Sequence, residues 1–194
     1  MFEDRVLVVD IEDGRARAAQ SCGHNVEFAV PGVVHARART CHSLLAPAPN
    51  LSAALQSLAE RHVGAILEAL DYVGVLAVEF FEKDSRLYAN EMAPRVHNSG
   101  HWTIEGARTS QFENHLRAIL GRPLGATGAV DCSAMVNLIG TMPDPAIVLA
   151  IPDAPFHDYG KSPRPGRKLG HVTLRAEDAA SLQARLARLR EIVP

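Results

Sequence analysis

Residues 75–93 constrain the fold more than any other stretch, because they read as two strands closed by one tight turn. The arms are Val75–Phe81 and Leu87–Met92, with Lys83-Asp84-Ser85-Arg86 turning between them. The midpoint of Glu79 and Glu91 is residue 85, inside that turn, so the two glutamates are expected to face each other across the strands. Alternation puts Ala77, Glu79 and Phe81 on one face of the first arm. Leu87, Ala89, Glu91 and Ala93 then share a face of the second, and pairing 79 with 91 also pairs 81 with 89 and 77 with 93. Opposed side chains have Cβ atoms about 4.5–5.5 Å apart, and like charges placed there are destabilising. A divalent cation such as Mg²⁺ would compensate. By itself the pair reads first as ordinary glutamates on a solvated strand face.

The loop that follows shifts that balance. Arg95, His97, Asn98, Ser99 and His101 fall within seven residues, ahead of Trp102. A guanidinium offers bidentate recognition of phosphate or carboxylate. His and Asn add neutral donors, and Ser99-Gly100 lets backbone N–H groups approach a ligand closely. A turn entering a helix would use the same Asn, Ser and Gly. Zinc is disfavoured at His97 and His101, because Asn-Ser-Gly between them opposes a helix and no cysteine is near. Trp102 reads as a core or hinge anchor. A second basic cluster, Lys161, Arg164, Arg167 and Lys168, could grip a phosphate through charge and turn amides. As an isolated loop it would be a solvated surface segment. His24, His35, His42, His62 and His115 have no informative neighbours.

Elsewhere, Arg5–Ile11 reads as a strand, Asp13-Gly14 as a turn, 16–22 as a second strand and 24–46 as β-like, closed by Pro47-Ala-Pro49. Asn50 is expected to cap a helix reaching Leu70, on the spacing of Leu55, Leu58, Val63, Ile66, Leu67 and Leu70. A second helix is expected over about Thr103–Leu120, then a breaker-rich run at 121–129. Beyond it the pattern predicts a strand at 132–139, a short element at 144–150, strands near 156–160 and 170–175, and a helix at 178–192 striped by Leu182, Leu186 and Leu189. The class is α+β with a largely antiparallel sheet.

The 194 residues carry 20 basic and 22 acidic side chains, a formal charge of -2, which argues against a general nucleic-acid or membrane-surface binder. Cys22, Cys41 and Cys132 are scattered and odd in number, as suits reduced thiols in a cytosol. No apolar run approaches the roughly 20 residues that span a bilayer, and no signal peptide opens the chain. A cytoplasmic location is expected.

Glu79, Asn90-Glu91-Met-Ala-Pro-Arg95-Val-His97-Asn98-Ser-Gly-His101-Trp-Thr and Ser110-Gln-Phe-Glu together resemble the 5-(carboxyamino)imidazole ribonucleotide synthase family, ATP-grasp enzymes of purine biosynthesis. Met135-Val-Asn-Leu-Ile-Gly140 and Tyr159-Gly-Lys161 through Lys168-Leu-Gly-His171 resemble the same family's C-terminal domain. The likeness covers nearly the whole chain and is densest from 72 to 120. It implies the second half of an ATP-grasp domain over 1–121, a linker at 122–128 and a small β-rich domain with a terminal helix over 129–194. It also implies ATP and Mg²⁺ as cofactors: Glu79 and Glu91 would hold the metal, with Asn90 and Glu91 beside the nucleotide. Arg95, His97 and Asn98 would form the substrate loop, with Arg95 catalytic, and Lys161, Arg167 and Lys168 would hold the ribonucleotide phosphate. In such enzymes ATP is thought to convert bicarbonate to carboxyphosphate, which carboxylates the exocyclic amine of aminoimidazole ribonucleotide, and the complete enzyme is expected to be a homodimer.

Two departures accompany the likeness. Arg5 stands near a position where the family carries an acidic residue. The family's glycine-rich triphosphate loop and adenine clamp have no counterpart before residue 50, so the expectation is a C-terminal fragment, inactive in isolation. Another ATP-grasp carboxylase or ligase, or a non-catalytic remnant that dimerises or binds nucleotide weakly, is the alternative reading. The His97–His101 run and the basic loop tell against the former.

Overall fold

A computed structural model describes residues 5–12, 34–35, 43–49 and 51–193. The expected Asp13-Gly14 turn, the strand near 16–22 and most of 24–46 lie outside them. The elements in order are β1 (Arg5–Glu12), β2 (Val34–His35), β3 (Ser43–Ala46), α1 (Ala53–Leu70), β4 (Val75–Lys83) and β5 (Arg86–Ala93). Then come α2 (Thr103–Gly106), α3 (Gln111–Ile119), β6 (Cys132–Ile139), α4 (Pro145–Leu149), β7 (Phe156–Asp158), β8 (Lys168–Ala176) and α5 (Ala179–Arg190). Two antiparallel sheets result, ordered β1-β4-β5 and β2-β3-β6-β8-β7.

Alternation on β4 separates two cores. Leu76, Val78 and Phe80 pack on Ala59, Val63 and Leu67 of α1, whereas Ala77 turns to the opposite side with Ala93, Leu44, Ala46, Trp102 and Met135. That second group is where the two sheets meet. On β6 and β8, Ala134, Val136, Leu138, Val172 and Leu174 pack under Leu182, Leu186 and Leu189 of α5. Their neighbours in sequence, Ser133, Asn137, His171 and Thr173, are buried too and alternate to the other face. A sheet covered on both sides therefore turns a row of polar side chains toward the first sheet. Trp102 is buried as a core anchor, as its sequence context suggested.

Several expectations change. The cap of α1 is Ser52, whose Oγ accepts from the Leu55 N–H at 3.2 Å, rather than Asn50. The helix expected over Thr103–Leu120 is two helices, α2 and α3. A Cβ on Gly106 would overlap Ser133 Oγ and the Trp102 ring, so the backbone presses onto β6 there. It then leaves the helix, with Ala107 bridging to Ala129 and the Val130 N–H donating to Gly106 O at 2.8 Å. Ser110 restarts the helix, its Oγ accepting from the Glu113 N–H.

The pattern predicts an antiparallel sheet over 1–120, with a smaller β-rich unit packed on it beyond about residue 128. Instead β3 pairs with β6, Leu44 opposite Met135 and Ala46 opposite Ser133, so the N-terminal stretch supplies strands to the second sheet. The run 121–129 is strapped down: the Gly125 N–H donates to Asn114 Oδ1 at 2.8 Å and Arg117 donates to Pro123 O at 3.0 Å. Cys132 is a free thiol; Cys22 and Cys41 lie outside the described residues. Among the described residues no helix is long and apolar enough to cross a membrane.

Candidate active site

The hairpin turns on Asp84 and Ser85, both left-handed at φ 51° and 59°, a two-residue turn whose twist suits antiparallel strands. Pairing runs Lys83 with Arg86, Phe81 with Tyr88 and Phe80 with Ala89, then shifts, so that Glu79 meets Glu91 and Ala77 meets Ala93. The expected 79–91 and 77–93 pairs are present; the 81–89 pair is not. Asn90 is the additional residue, a β-bulge. Because of it Leu87 and Ala89 do not share the face of Glu91, and Leu87 packs with the α1 core. The bulge has a chemical consequence as well, since the Asn90 amide donates to Glu79 Oε2 at 3.2 Å.

The two carboxylates differ. Glu91 has a side chain 56% exposed. Burial, and next the charge of Glu91, push the Glu79 carboxyl above its usual range, with Asn90 and Lys168 opposing the rise. A cation here would relieve both the desolvation and the repulsion.

His97 extends the pair, its Nε2 lying 3.2 Å from Glu91 Oε1. Its Nδ1 receives the Ser99 N–H at 3.4 Å, a group that can only donate, so Nε2 carries the proton toward Glu91. Burial lowers the His97 pKa and holds His101 at about 4, so neutral imidazoles line the loop near pH 7. Gln111 organises these two histidines. Its Oε1 accepts from the His97 N–H at 3.0 Å, and its Nε2 donates to His97 O at 2.7 Å and to His101 Nδ1 at 2.8 Å.

A second bridge reaches the other sheet. Asn98 and Asn137 exchange amide hydrogen bonds of 2.8 and 3.0 Å, and Lys168 Nζ donates to Asn98 Oδ1 at 2.7 Å. An ammonium only donates, so the Asn98 amide orientation is fixed by Lys168. Tyr159 also hydrogen-bonds Asn98, and burial raises its hydroxyl to about 12.

Glu79, Asn90, Glu91, His97, Asn98 and Lys168 are thus brought together from two sheets and one loop. Arg95 is exposed, its guanidinium bonded to Val96 O at 2.9 Å. Lys161 lies 5.1 Å over the Tyr159 ring, and Arg167 donates to Ser162 O at 3.4 Å. Both stand in the basic loop. Gln111 and Asn137 were given no role by sequence reasoning. Their signal was membership of the motifs Ser110-Gln-Phe-Glu and Met135-Val-Asn-Leu-Ile-Gly140 that carry the resemblance.

An ATP-grasp domain model matches residues 16–112, and a phosphoribosylaminoimidazole carboxylase C-terminal domain model matches 133–185. The chain belongs to the ATP-grasp family. The N5-carboxyaminoimidazole ribonucleotide synthase of Pseudomonas aeruginosa is 61% identical over 139 residues, 72% of this chain and 39% of the relative. That of Vibrio cholerae is 43% identical over 190 residues, 98% of this chain and 49% of the relative. Among solved structures, the N5-carboxyaminoimidazole ribonucleotide synthetase of Thermus thermophilus superposes with TM-score 0.90 at 49% identity, over 100% of this chain and 51% of that one. An Aspergillus clavatus N5-carboxyaminoimidazole synthase, in complex with ADP and aminoimidazole ribonucleotide, gives 0.83 at 32%, over 98% and 51%. The ATP-grasp chain described here spans about half the length of these relatives.

Proposed function

We propose that this chain supplies the metal-side and acceptor-side walls of an enzyme that uses ATP and bicarbonate to carboxylate aminoimidazole ribonucleotide to 5-(carboxyamino)imidazole ribonucleotide. One observation carries the reading. Lys168 and Asn98 join a phosphate-compatible cation to the same loop that places His97 against Glu91. A nucleotide and a phosphorylated acceptor can therefore be held side by side. The relatives' names and the aminoimidazole ribonucleotide complex of the Aspergillus protein support the substrate assignment.

Glu79 and Glu91 fit Mg²⁺, a hard cation that takes few carboxylates and completes its shell with water and phosphate. When bound, it would neutralise charge developing on a transferred phosphoryl group. This chain's residues do the positioning. Asn90 holds Glu79, His97 directs its proton to Glu91, and Arg95 is free to fork onto a carboxyphosphate. Lys161, Arg167 and Lys168 would take the ribonucleotide phosphate. The division into 1–121, a linker at 122–128 and 129–194 accompanies the proposal, supported by the two family-model matches on either side of it. So do a cytoplasmic setting and a homodimeric complete enzyme.

Calorimetric titration of the 194-residue chain with aminoimidazole ribonucleotide tests the acceptor wall. Binding is expected in the wild type and lost in Lys168→Ala and Asn98→Ala. Binding that both variants leave intact would overturn the assignment. Assayed with Mg-ATP, bicarbonate and the ribonucleotide, the same chain is expected to give no turnover, because phosphoryl transfer needs charge and positioning from both sides of the nucleotide. Turnover on the order of 1–1000 per second would show that these residues suffice alone.

A further inference from the structure

Away from the hairpin, Glu105 of α2 meets two histidines of the second sheet. His157 of β7 pairs directly with His171 of β8, and their rings stack at 4.3 Å with 13° between planes. Close approach of β7 is possible because a Cβ at Gly170 would overlap the His157 carbonyl. His157 Nε2 lies 2.6 Å from Glu105 Oε1. One ligand atom from each of Glu105, His157 and His171 falls within 4.8 Å of the other two.

Two atoms of this cluster lack partners. His171 is 1% exposed, and its Nε2 has no hydrogen-bond partner among the described residues; neither has the buried Glu105 Oε2. Leaving a buried polar group unsatisfied costs about 1–3 kcal/mol, more when it is charged. Two such groups from elements far apart in sequence, converging on one spot, mark a place built for a ligand.

We propose that Glu105, His157 and His171 bind a divalent first-row transition metal, with Zn²⁺ the best match. Two imidazoles and one carboxylate suit Zn²⁺, whereas Mg²⁺ and Ca²⁺ prefer all-oxygen shells. A tetrahedral zinc with bonds near 2.0–2.1 Å needs donors about 3.3 Å apart, so no pair has to close by more than about 1.5 Å, and the half-exposed His157 ring must turn out of its stack on His171 for both lone pairs to meet one ion. Tyr159 is already placed to support a ligand. Its Oη sits 2.8 Å from His171 Nδ1, and a proton on Nδ1 directed at that oxygen leaves the Nε2 lone pair free for metal. The hydrogen that His157 Nε2 turns toward Glu105 must move to Nδ1 before Nε2 can ligate. Arg175, whose guanidinium reaches this region, is engaged with Glu105 O at 2.9 Å and Asp131 at 3.3 Å. His157 is 31% exposed, which gives entry and room for a water as fourth ligand. The metal would staple α2, just downstream of the candidate active-site loop, to β7 and β8.

The test uses the 194-residue chain, stripped with EDTA and titrated with Co²⁺ and then Zn²⁺. One equivalent of Co²⁺ with intense tetrahedral visible absorption is expected, and Zn²⁺ should displace it. His157→Phe, at a half-exposed position, should abolish the spectrum while leaving the circular dichroism unchanged. Tyr159→Phe should weaken binding about 10–100-fold. Glu91→Gln should retain the spectrum. Absence of the spectrum in the wild type, its survival in His157→Phe, or its loss in Glu91→Gln would each overturn the site.

Discussion

Two acid–histidine clusters in this molecule meet opposite fates. Around Glu79, Glu91 and His97 one carboxylate is exposed and partners are already in place: Asn90 donates to Glu79, Ser99 to His97 Nδ1, and Gln111 holds the His97 backbone. Around Glu105, His157 and His171 two buried atoms, Glu105 Oε2 and His171 Nε2, lack partners among the described residues. The first cluster can exchange bonds for a ligand that comes and goes, as a substrate site must. The second has a deficit that a resident ligand would remove. Similar side chains therefore do different work according to burial and hydrogen-bond supply.

The largest test of that contrast is pH. The unfolded chain protonates histidine near 6.5, whereas burial holds folded His101 at about 4 and His171 at about 3. Between those values the unfolded state binds more protons. Stability in EDTA is therefore full above pH 6.5 and should fall by several kcal/mol toward pH 4, at up to about 1.4 kcal/mol per unit per group. Urea midpoints measured across that range check it. Equal midpoints at pH 7.5 and 4.5 would mean that both rings charge without unfolding.

Gln111→Ala should cost about 3 kcal/mol by the same measurement, since it strands buried groups of His97 and His101. It should leave Co²⁺ binding at Glu105 unchanged; a joint loss would merge the two clusters into one unit. Arg95→Lys, made in this chain joined to the remaining part of the Pseudomonas aeruginosa relative, should lower carboxylation about 100-fold with no change in melting temperature. Lysine keeps the charge but loses the planar fork. Wild-type turnover would remove Arg95 from the mechanism.

The smallest effect is expected for Glu79→Gln. Without divalent cation it should stabilise the chain by up to about 1 kcal/mol, by removing like charge opposite Glu91. Stabilisation by added Mg²⁺ should vanish with it. A destabilised variant would show that Asn90 and Lys168 already satisfy the Glu79 carboxylate.

Local pattern determined a good deal here. Period-two alternation and a compact turn are local, so the opposition of Glu79 and Glu91 and the Leu182–Leu186–Leu189 stripe could be read directly from residue order. The Asn90 bulge escaped because a register centred on residue 85 gives the 79–91 pair without it, whereas with the turn at Asp84-Ser85 it is the added residue that brings Glu91 opposite Glu79. The break after Gly106 came from Trp102 and Ser133 pressing on the backbone, a contact that no helical periodicity reports. Pairing of β3 with β6 joins residues about ninety apart, and the sequence carries no term for such a distance. The same holds for Asn98 with Asn137 and Lys168, and for Glu105 with His157, fifty-two residues away. Side-chain chemistry is written residue by residue, but which groups share a low-dielectric space, and which are left there without a partner, is decided only when the two sheets close on each other.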